Sequence, residues 1–102
     1  MKLAVEESDF IPCDILDITR YLRRRNPQAA AHVIEACNSS DELLSTMPHL
    51  GTSRADLGEP EARSWRVRGF RNYLIFYEIQ EDRIRLLRVL HGYRDLESEL
   101  NR

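Results

Sequence analysis

The sequence predicts an α+β domain in which a helical hairpin packs on a small antiparallel β-sheet. Three observations support this fold: two successive stretches have helical periodicity, a polar segment follows them, and two apolar, β-prone runs occupy the last third of the chain. The 102 residues are enough for a single domain, 1–102, with a modest core. The hydrophobic share of 42% and the charged share of 31% are typical of a globular protein.

The N-terminal part predicts a short edge strand over residues 2–5 and then a first helix, which Ser8 or Asp9 can cap. The apolar positions on one face of this helix are Ile11, Ile15, Ile18 and Leu22. Three successive arginines end the helix, where cations suit the negative end of the helix dipole. These arginines are Arg23, Arg24 and Arg25.

A second helix begins at once, because Asn26 is a good N-cap and Pro27 suits the first helical position. Its expected apolar stripe is Ala30, Val33, Ile34, Cys37, Leu44 and Met47. The polar residues 38–40 are a weak point at which the helix is expected to bend. The connection between the helices is so short that we expect an antiparallel hairpin.

The polar residues 51–61 are rich in turn formers, which predicts a loop before the sheet. Trp65 and Val67 then alternate with Arg66 and Arg68, a pattern typical of a half-buried strand with arginine facing outward.

Two further strands are predicted over residues 73–79, which are apolar on both faces, and over residues 83–90. The second of these strands runs into a compact cationic, aromatic and acidic cluster, which suggests a site at the edge of the sheet. The cluster consists of His91, Gly92, Tyr93, Arg94 and Asp95. A short terminal helix is predicted from residue 93 or 95 to residue 100.

Charge is distributed unevenly along the chain. Residues 63–94 contain eight arginines and three acidic residues, a net charge of +5 within a protein whose total is −2. Either this charge is the solvated face of a strand, or it is a patch for an anionic partner, such as nucleic acid or an acidic protein segment.

Several segments, taken in order, resemble the ParE/RelE toxins of bacterial toxin–antitoxin pairs. The matching segments are residues 14–22, 26–30, 43–51, 54–57, 66–77 and 84–95. The closing piece, Arg-Val-Leu-His-Gly-Tyr-Arg-Asp at residues 88–95, resembles the ParE branch more than the RelE branch.

The resemblance implies a type II toxin that a cognate, ParD-like antitoxin neutralises by direct binding. Operator DNA would then be reached only indirectly, through the antitoxin. ParE-like members poison DNA gyrase, whereas RelE-like members cut messenger RNA on the ribosome, and the shared fold does not choose between these activities.

Three functions therefore stay open. The leading one is a gyrase poison with no catalytic residues. The second is a ribosome-dependent endoribonuclease that would use Arg66, Arg68, His91 and Arg94. The central lysines of the RelE pattern are absent, because the only lysine is Lys2. The third is an inactive toxin that serves only as an antitoxin-binding co-repressor.

The candidate partner-binding residues are mainly arginines, joined by an aromatic side chain expected to be exposed in a hairpin turn. They are Arg23, Arg24, Arg25, Arg66, Arg68, Phe70, Arg71, Arg88, Tyr93 and Arg94. Trp65, Tyr73 and Tyr77 are expected in the core. No metal site or cofactor is predicted, because no histidine has a second ligand at metal spacing.

The sequence contains no apolar run long enough to span a membrane and begins with no apolar signal stretch. We therefore expect a cytoplasmic protein.

Overall fold

A computed structural model describes residues 2–92, in which two helices cover one face of a five-stranded sheet. The elements are β1 (Ala4–Glu7), α1 (Phe10–Arg25), α2 (Pro27–Thr46), a 3₁₀ turn (Pro48–Leu50), β2 (Thr52–Arg54), a second 3₁₀ turn (Ala55–Leu57), β3 (Glu59–Val67), β4 (Phe70–Ile79) and β5 (Arg83–His91). The strand order is β1-β5-β4-β3-β2, and the predicted α+β fold is confirmed. One pairing differs from the expected antiparallel sheet, because β1 runs parallel to β5.

Helix α1 begins as predicted, and the structure distinguishes the two capping candidates. The Ser8 hydroxyl accepts a hydrogen bond from the backbone N–H of Phe10 at 3.3 Å and donates one to the Leu87 carbonyl at 2.6 Å. The Asp9 side chain makes no capping hydrogen bond. Ser8 therefore joins the start of the helix to β5.

Helix α2 begins at the predicted cap, where the Asn26 side chain accepts a hydrogen bond from the backbone N–H of Ala29 at 3.2 Å. The helix is continuous through residues 38–40, and the Ser40 hydroxyl donates to the carbonyl of the preceding turn. Two members of the expected apolar stripe are outside the core: Ile34 is 43% exposed and Met47 is 52% exposed. Both residues lie on the side of α2 that faces away from the sheet, so the apolar stripe that α2 buries is narrower than predicted.

The predicted loop over residues 51–61 is wrong. It contains the short strand β2, the second 3₁₀ turn and the start of β3, so four strands follow the helices instead of three. Thr52 pairs with Ser64 and Ser53 pairs with Arg63 at the edge of the sheet. A three-residue polar edge strand has no apolar periodicity of its own, and only its pairing with β3 defines it.

The main core lies between the helices and the sheet. It contains the buried side chains of Ile11, Ile18, Val33, Leu44, Tyr73, Ile75, Tyr77, Ile84, Leu86 and Val89, among others. Trp65 is half-buried against it. A second, smaller cluster of Leu74, Phe76 and Leu90 covers the opposite face. Strand β4 is therefore buried on both faces, as its sequence predicts.

Tyr77 joins the end of α2 to the sheet. Its hydroxyl donates to the Pro48 carbonyl at 2.6 Å and accepts from the backbone N–H of Gly51 at 2.9 Å. Burial of the ring raises the pKa of the Tyr77 hydroxyl. Gly51 packs so closely on this hydroxyl that a Cβ atom would overlap it. Because Gly51 directly precedes β2 and Tyr77 belongs to β4, this contact fixes the start of β2 against the sheet.

In the part of the chain that the structure describes, neither helix is long and apolar enough to cross a membrane.

Candidate functional site

The turn between β3 and β4 presents a basic surface. Gly69 has φ of 84°, a left-handed conformation that glycine adopts without strain, and it allows the two strands to reverse tightly. Arg66, Arg68 and Arg71 are all exposed around this turn, and we call these three residues the basic hairpin. The Arg66 guanidinium donates to the Arg71 carbonyl at 3.2 Å, which holds the two sides of the hairpin together.

A groove of about 600 Å³ separates the basic hairpin from the second half of α2. Leu43, Trp65 and Val67 supply its apolar surface, and the basic hairpin supplies its charged rim. Ser39 and Ser40 are the polar side chains that α2 contributes. We call this feature the hairpin groove. It combines apolar and cationic surface, which is the composition of a site for a protein segment.

Arg54 is the last residue of β2, the edge strand next to β3, and it was not among the predicted site residues. It makes two hydrogen bonds to the Asp56 carboxylate, at 3.0 and 3.1 Å, and a third to the Ser64 hydroxyl at 3.0 Å. Its guanidinium also lies 5.6 Å from the centre of the Phe76 ring. These contacts hold Arg54 in place at the wall of an open pocket of about 720 Å³ that also includes Arg66.

Arg88 was predicted to bind a partner, but the structure gives it an internal role. Its guanidinium forms a bidentate ion pair with Asp14 of α1, at 2.9 and 3.0 Å, and lies 4.7 Å from the centre of the Phe10 ring. The Asp14 carboxylate also accepts the backbone N–H of Val89 at 3.0 Å. Arg88 thus joins α1 to β5, and its charge is compensated within the protein.

Phe70 was expected to be exposed in the hairpin turn, which is wrong. It is the first residue of β4, and its half-buried ring packs against the main core. The tip of the turn consists of Arg68 and Gly69 instead. The Phe70 ring packs on the core although it is close to the turn, because Val67, which pairs with Phe70 across the two strands, is buried in the same core.

His91 and Arg66, both candidates for RNA cleavage, lie on opposite faces of the sheet. His91 pairs with Tyr73, and its ring packs edge-on against the Tyr73 ring at 5.3 Å, on the helix-covered face. Arg66 pairs with Leu74, which belongs to the small cluster on the other face. Directly opposed residues of an antiparallel pair share a face, so the structure does not bring these two side chains together.

The arginines at the end of α1 form a separate basic region. Arg23, Arg24 and Arg25 are exposed, and the Arg25 guanidinium lies 4.6 Å from the centre of the Tyr21 ring. Helix α2 rises by about 20 Å between its start, next to Arg25, and the residues that line the hairpin groove. The two basic regions are therefore independent surfaces. Tyr93, Arg94 and the predicted terminal helix lie outside the described residues 2–92.

A cavity of about 270 Å³ between the helices and β5 contains two buried titratable groups. Burial, followed by the nearby charge of Asp41, raises the pKa of the Cys37 thiol to about 12. Burial, followed by the charge of Glu7, raises the pKa of Asp41 to about 7. A thiol with so high a pKa is not a nucleophile at neutral pH, so Cys37 acts as a small core residue. Among residues 2–92, no three His, Cys, Asp or Glu side chains are grouped as a metal site requires.

Two features of this surface were not accessible to sequence reasoning. Asp14 and Arg88 are separated by 74 positions, and no local pattern joins them. Arg54 and Asp56 lie two positions apart in a segment that was predicted to be a loop, so neither their ion pair nor the contact of Arg54 with the Phe76 ring had a sequence signal. What the sequence did locate is the concentration of arginine around the β3–β4 turn.

A helical hairpin on one face of a mostly antiparallel sheet, with an exposed basic strand turn, places the chain among the small α+β toxins of type II toxin–antitoxin systems. The chain belongs to the ParE toxin family: the model of the ParE toxin of the type II toxin-antitoxin system parDE matches residues 13–96.

Comparison with solved structures agrees with this assignment. The structure is similar to a chain described as "Chromosomal ParDE TA system from P. aeruginosa", with a TM-score of 0.73 and 13% sequence identity. The match covers 88% of this chain and 96% of that chain. At this identity, the likeness shows that the fold is shared. No curated protein sequence matches the chain.

Proposed function

We propose that this ParE-family toxin acts in the cytoplasm as a binding inhibitor of DNA gyrase, and that a cognate ParD-like antitoxin neutralises it by direct contact. The observation that carries this proposal is the basic hairpin. It presents three exposed arginines beside an apolar groove, and such a surface recognises an acidic macromolecular partner by charge and shape complementarity.

The geometry favours binding over RNA hydrolysis. Cleavage of RNA without a metal requires a general base, a general acid and cations around the same phosphate. The candidate proton-transfer side chain, His91, packs against Tyr73 on the helix-covered face, whereas Arg66 belongs to the other face. His91 and Arg66 therefore do not face the same RNA phosphate, which supports a toxin that acts without catalytic residues.

The test is a supercoiling assay with purified toxin, DNA gyrase, relaxed plasmid and ATP. We expect lost supercoiling, and trapped linear DNA after denaturation of the reaction, and we expect added antitoxin to relieve both effects. The triple variant Arg66→Gln, Arg68→Gln, Arg71→Gln should lose inhibition. The matched control, Arg23→Gln, Arg24→Gln, Arg25→Gln, removes the same charge from a separate exposed surface. It should keep the inhibition of gyrase, so that a partner-binding role of these three arginines would concern the antitoxin.

Unchanged supercoiling at large toxin excess would contradict the proposal. Message integrity on translating ribosomes would then be examined, because cuts at defined codons would establish the endoribonuclease alternative. Intact messages together with tight antitoxin binding would point to a toxin that acts only as a co-repressor.

A further inference from the structure

We propose that the carboxyl groups of Glu7 and Asp41 form a pH-sensitive gate over the cavity between the helices and β5, and we call this pair the carboxyl gate. While Asp41 holds a proton, the gate is closed. When Asp41 is ionised, it repels Glu7, α2 separates locally from the end of β1, and Cys37 becomes accessible to solvent. The gate involves neither gyrase nor the basic hairpin, so its test and the supercoiling assay succeed or fail separately.

The first argument is the position of the two carboxyl groups. Glu7 is the exposed last residue of β1, Asp41 is half-buried on α2, and both line the same cavity of about 270 Å³. Among the described residues that form its wall, Cys37 is the only other titratable group. Helix α1 and strand β5 contribute apolar side chains, namely Ile11, Pro12, Ile15, Leu86 and Val89. Apolar walls screen charge poorly, so two carboxylates repel each other more strongly here than in water.

The second argument is that no cation neutralises the carboxyl gate. The basic residues around β1 have other partners, since Lys2 contacts Glu42 and Arg83 contacts Glu6. Within residues 2–92, neither carboxyl group of the gate makes an ion pair or a side-chain hydrogen bond. Burial, followed by the charge of the facing carboxylate, raises the pKa of Asp41 to about 7. The group therefore keeps its proton at pH values at which an exposed carboxyl has lost it.

The third argument is that α2 and β1 are joined at one end only. The backbone N–H of Leu3, just before β1, donates to the Ser45 carbonyl of α2 at 2.8 Å. At the other end of β1, the backbone N–H of Ser8 holds the chain to β5 at 2.9 Å. In the described part of the chain, no hydrogen bond joins α2 to Glu7. A separation between Asp41 and Glu7 therefore breaks no backbone hydrogen bond, which is the condition for a low-energy local opening.

The direction of the pH dependence follows from the two protonation states. The ordinary pKa of an aspartate is 3.8, and that of Asp41 in the closed state is about 7. Between these values the closed state binds more protons than the open state, so opening should increase as pH rises through this window and level off above it. One pKa unit corresponds to about a tenfold change in an equilibrium constant. Opening should therefore increase by at least about tenfold between pH 5 and pH 7.5.

The experiment uses the full chain with Cys13→Ser, which leaves Cys37 as the only thiol. Its reaction with dipyridyl disulfide is followed by the absorbance of the released thiopyridone. Asp41→Asn in the same background is uncharged at every pH, and comparison at equal pH cancels the titration of the thiol itself. We expect rates within about twofold of each other at pH 5, and a parent at least about tenfold faster at pH 7.5. Circular dichroism checks that each variant is folded.

Two further variants locate the effect. Glu7→Gln removes the repelling charge and should slow the reaction at pH 7.5, by less than Asp41→Asn because burial of Asp41 remains. Glu35→Gln removes an exposed carboxylate from the same helix and should react within about twofold of the parent. Local opening also predicts that Cys37 reacts faster than global unfolding allows, as determined from urea unfolding at the same pH.

Three results would overturn the proposal. The first is a ratio of parent to Asp41→Asn rates that does not change with pH. The second is a reaction of Cys37 no faster than global unfolding, because the cavity would then have no opening of its own. The third is an equal slowing by Glu35→Gln, which would assign the effect to net charge and not to the carboxyl gate.

Discussion

The ion pair between Asp14 and Arg88 is expected to be a main contributor to stability, and Asp14→Ala tests it. The Asp14 carboxylate is 8% exposed and accepts three hydrogen bonds, two from the Arg88 guanidinium and one from the buried backbone N–H of Val89. Removal of the carboxylate leaves the Val89 N–H without this acceptor, at a cost of about 1–3 kcal/mol. It also removes the counter-charge of Arg88.

Water relieves part of the second cost, because the Arg88 side chain is 25% exposed. We therefore count only about 1–2 kcal/mol for the lost ion pair, below the range for fully buried pairs. The two costs together give an expected destabilisation by Asp14→Ala of about 2–5 kcal/mol, which for a domain of this size lowers the Tm by roughly 10–25 °C. Asp14→Asn keeps one acceptor oxygen and should cost about half as much.

The assay is urea unfolding at pH 7, followed by circular dichroism and by the fluorescence of Trp65, the only tryptophan. Asp17→Ala is the matched control, since Asp17 is an exposed carboxylate on the same helix, and its free energy of unfolding should change by no more than about 0.5 kcal/mol. A double-mutant cycle of Asp14→Ala and Arg88→Ala should give a coupling energy of about 1–3 kcal/mol.

A free energy of unfolding for Asp14→Ala within about 0.5 kcal/mol of the parent would refute this reasoning. If Arg88→Ala were equally harmless to folding and yet abolished toxin activity, that result would support the predicted role of Arg88 as a partner contact.

Three further predictions follow from groups within the fold. Because the folded-state pKa of Asp41 is raised from 3.8 to about 7, the folded state binds more protons than the unfolded chain between those values, and stability should fall as pH rises through this window. Asp41→Asn should therefore gain about 1–2 kcal/mol over the parent at pH 8 and little at pH 4, whereas the exposed Glu35→Gln on the same helix should not, as measured by urea unfolding at both pH values. Tyr77→Phe should lose about 1–3 kcal/mol, because the backbone groups of Pro48 and Gly51 lose their shared hydroxyl partner; an unchanged urea midpoint would exclude this network as a stabilising contact. Gly51→Ala should destabilise by about 1–3 kcal/mol, since its Cβ would overlap the Tyr77 hydroxyl, and the double variant with Tyr77→Phe should cost less than the sum of the two.

Local patterns were sufficient for the elements whose signals lie within a few residues. Asn26 and Pro27 predicted the start of α2, because a cap and the first helical turn are determined by adjacent positions. The doubly apolar run in β4 predicted a central strand for the same kind of reason, since burial on both faces excludes polar residues. The resemblance of ordered segments likewise led to the ParE family, which the match over residues 13–96 confirms.

Contacts between distant segments were decided only by the tertiary structure. The strand β2 exists because Thr52 and Ser53 pair with β3. Three polar residues have no alternation of apolar and polar side chains from which that pairing could be predicted. The same limit applies to the arginines. The sequence shows them concentrated in residues 63–94. Only the fold brings Asp14 to Arg88 from 74 positions away and leaves Arg66, Arg68 and Arg71 without carboxylates in the described residues. Composition determines how much positive charge the sheet carries. Which charges are neutralised inside the molecule, and which remain for a partner, depends on the three-dimensional pairing of residues far apart in the chain.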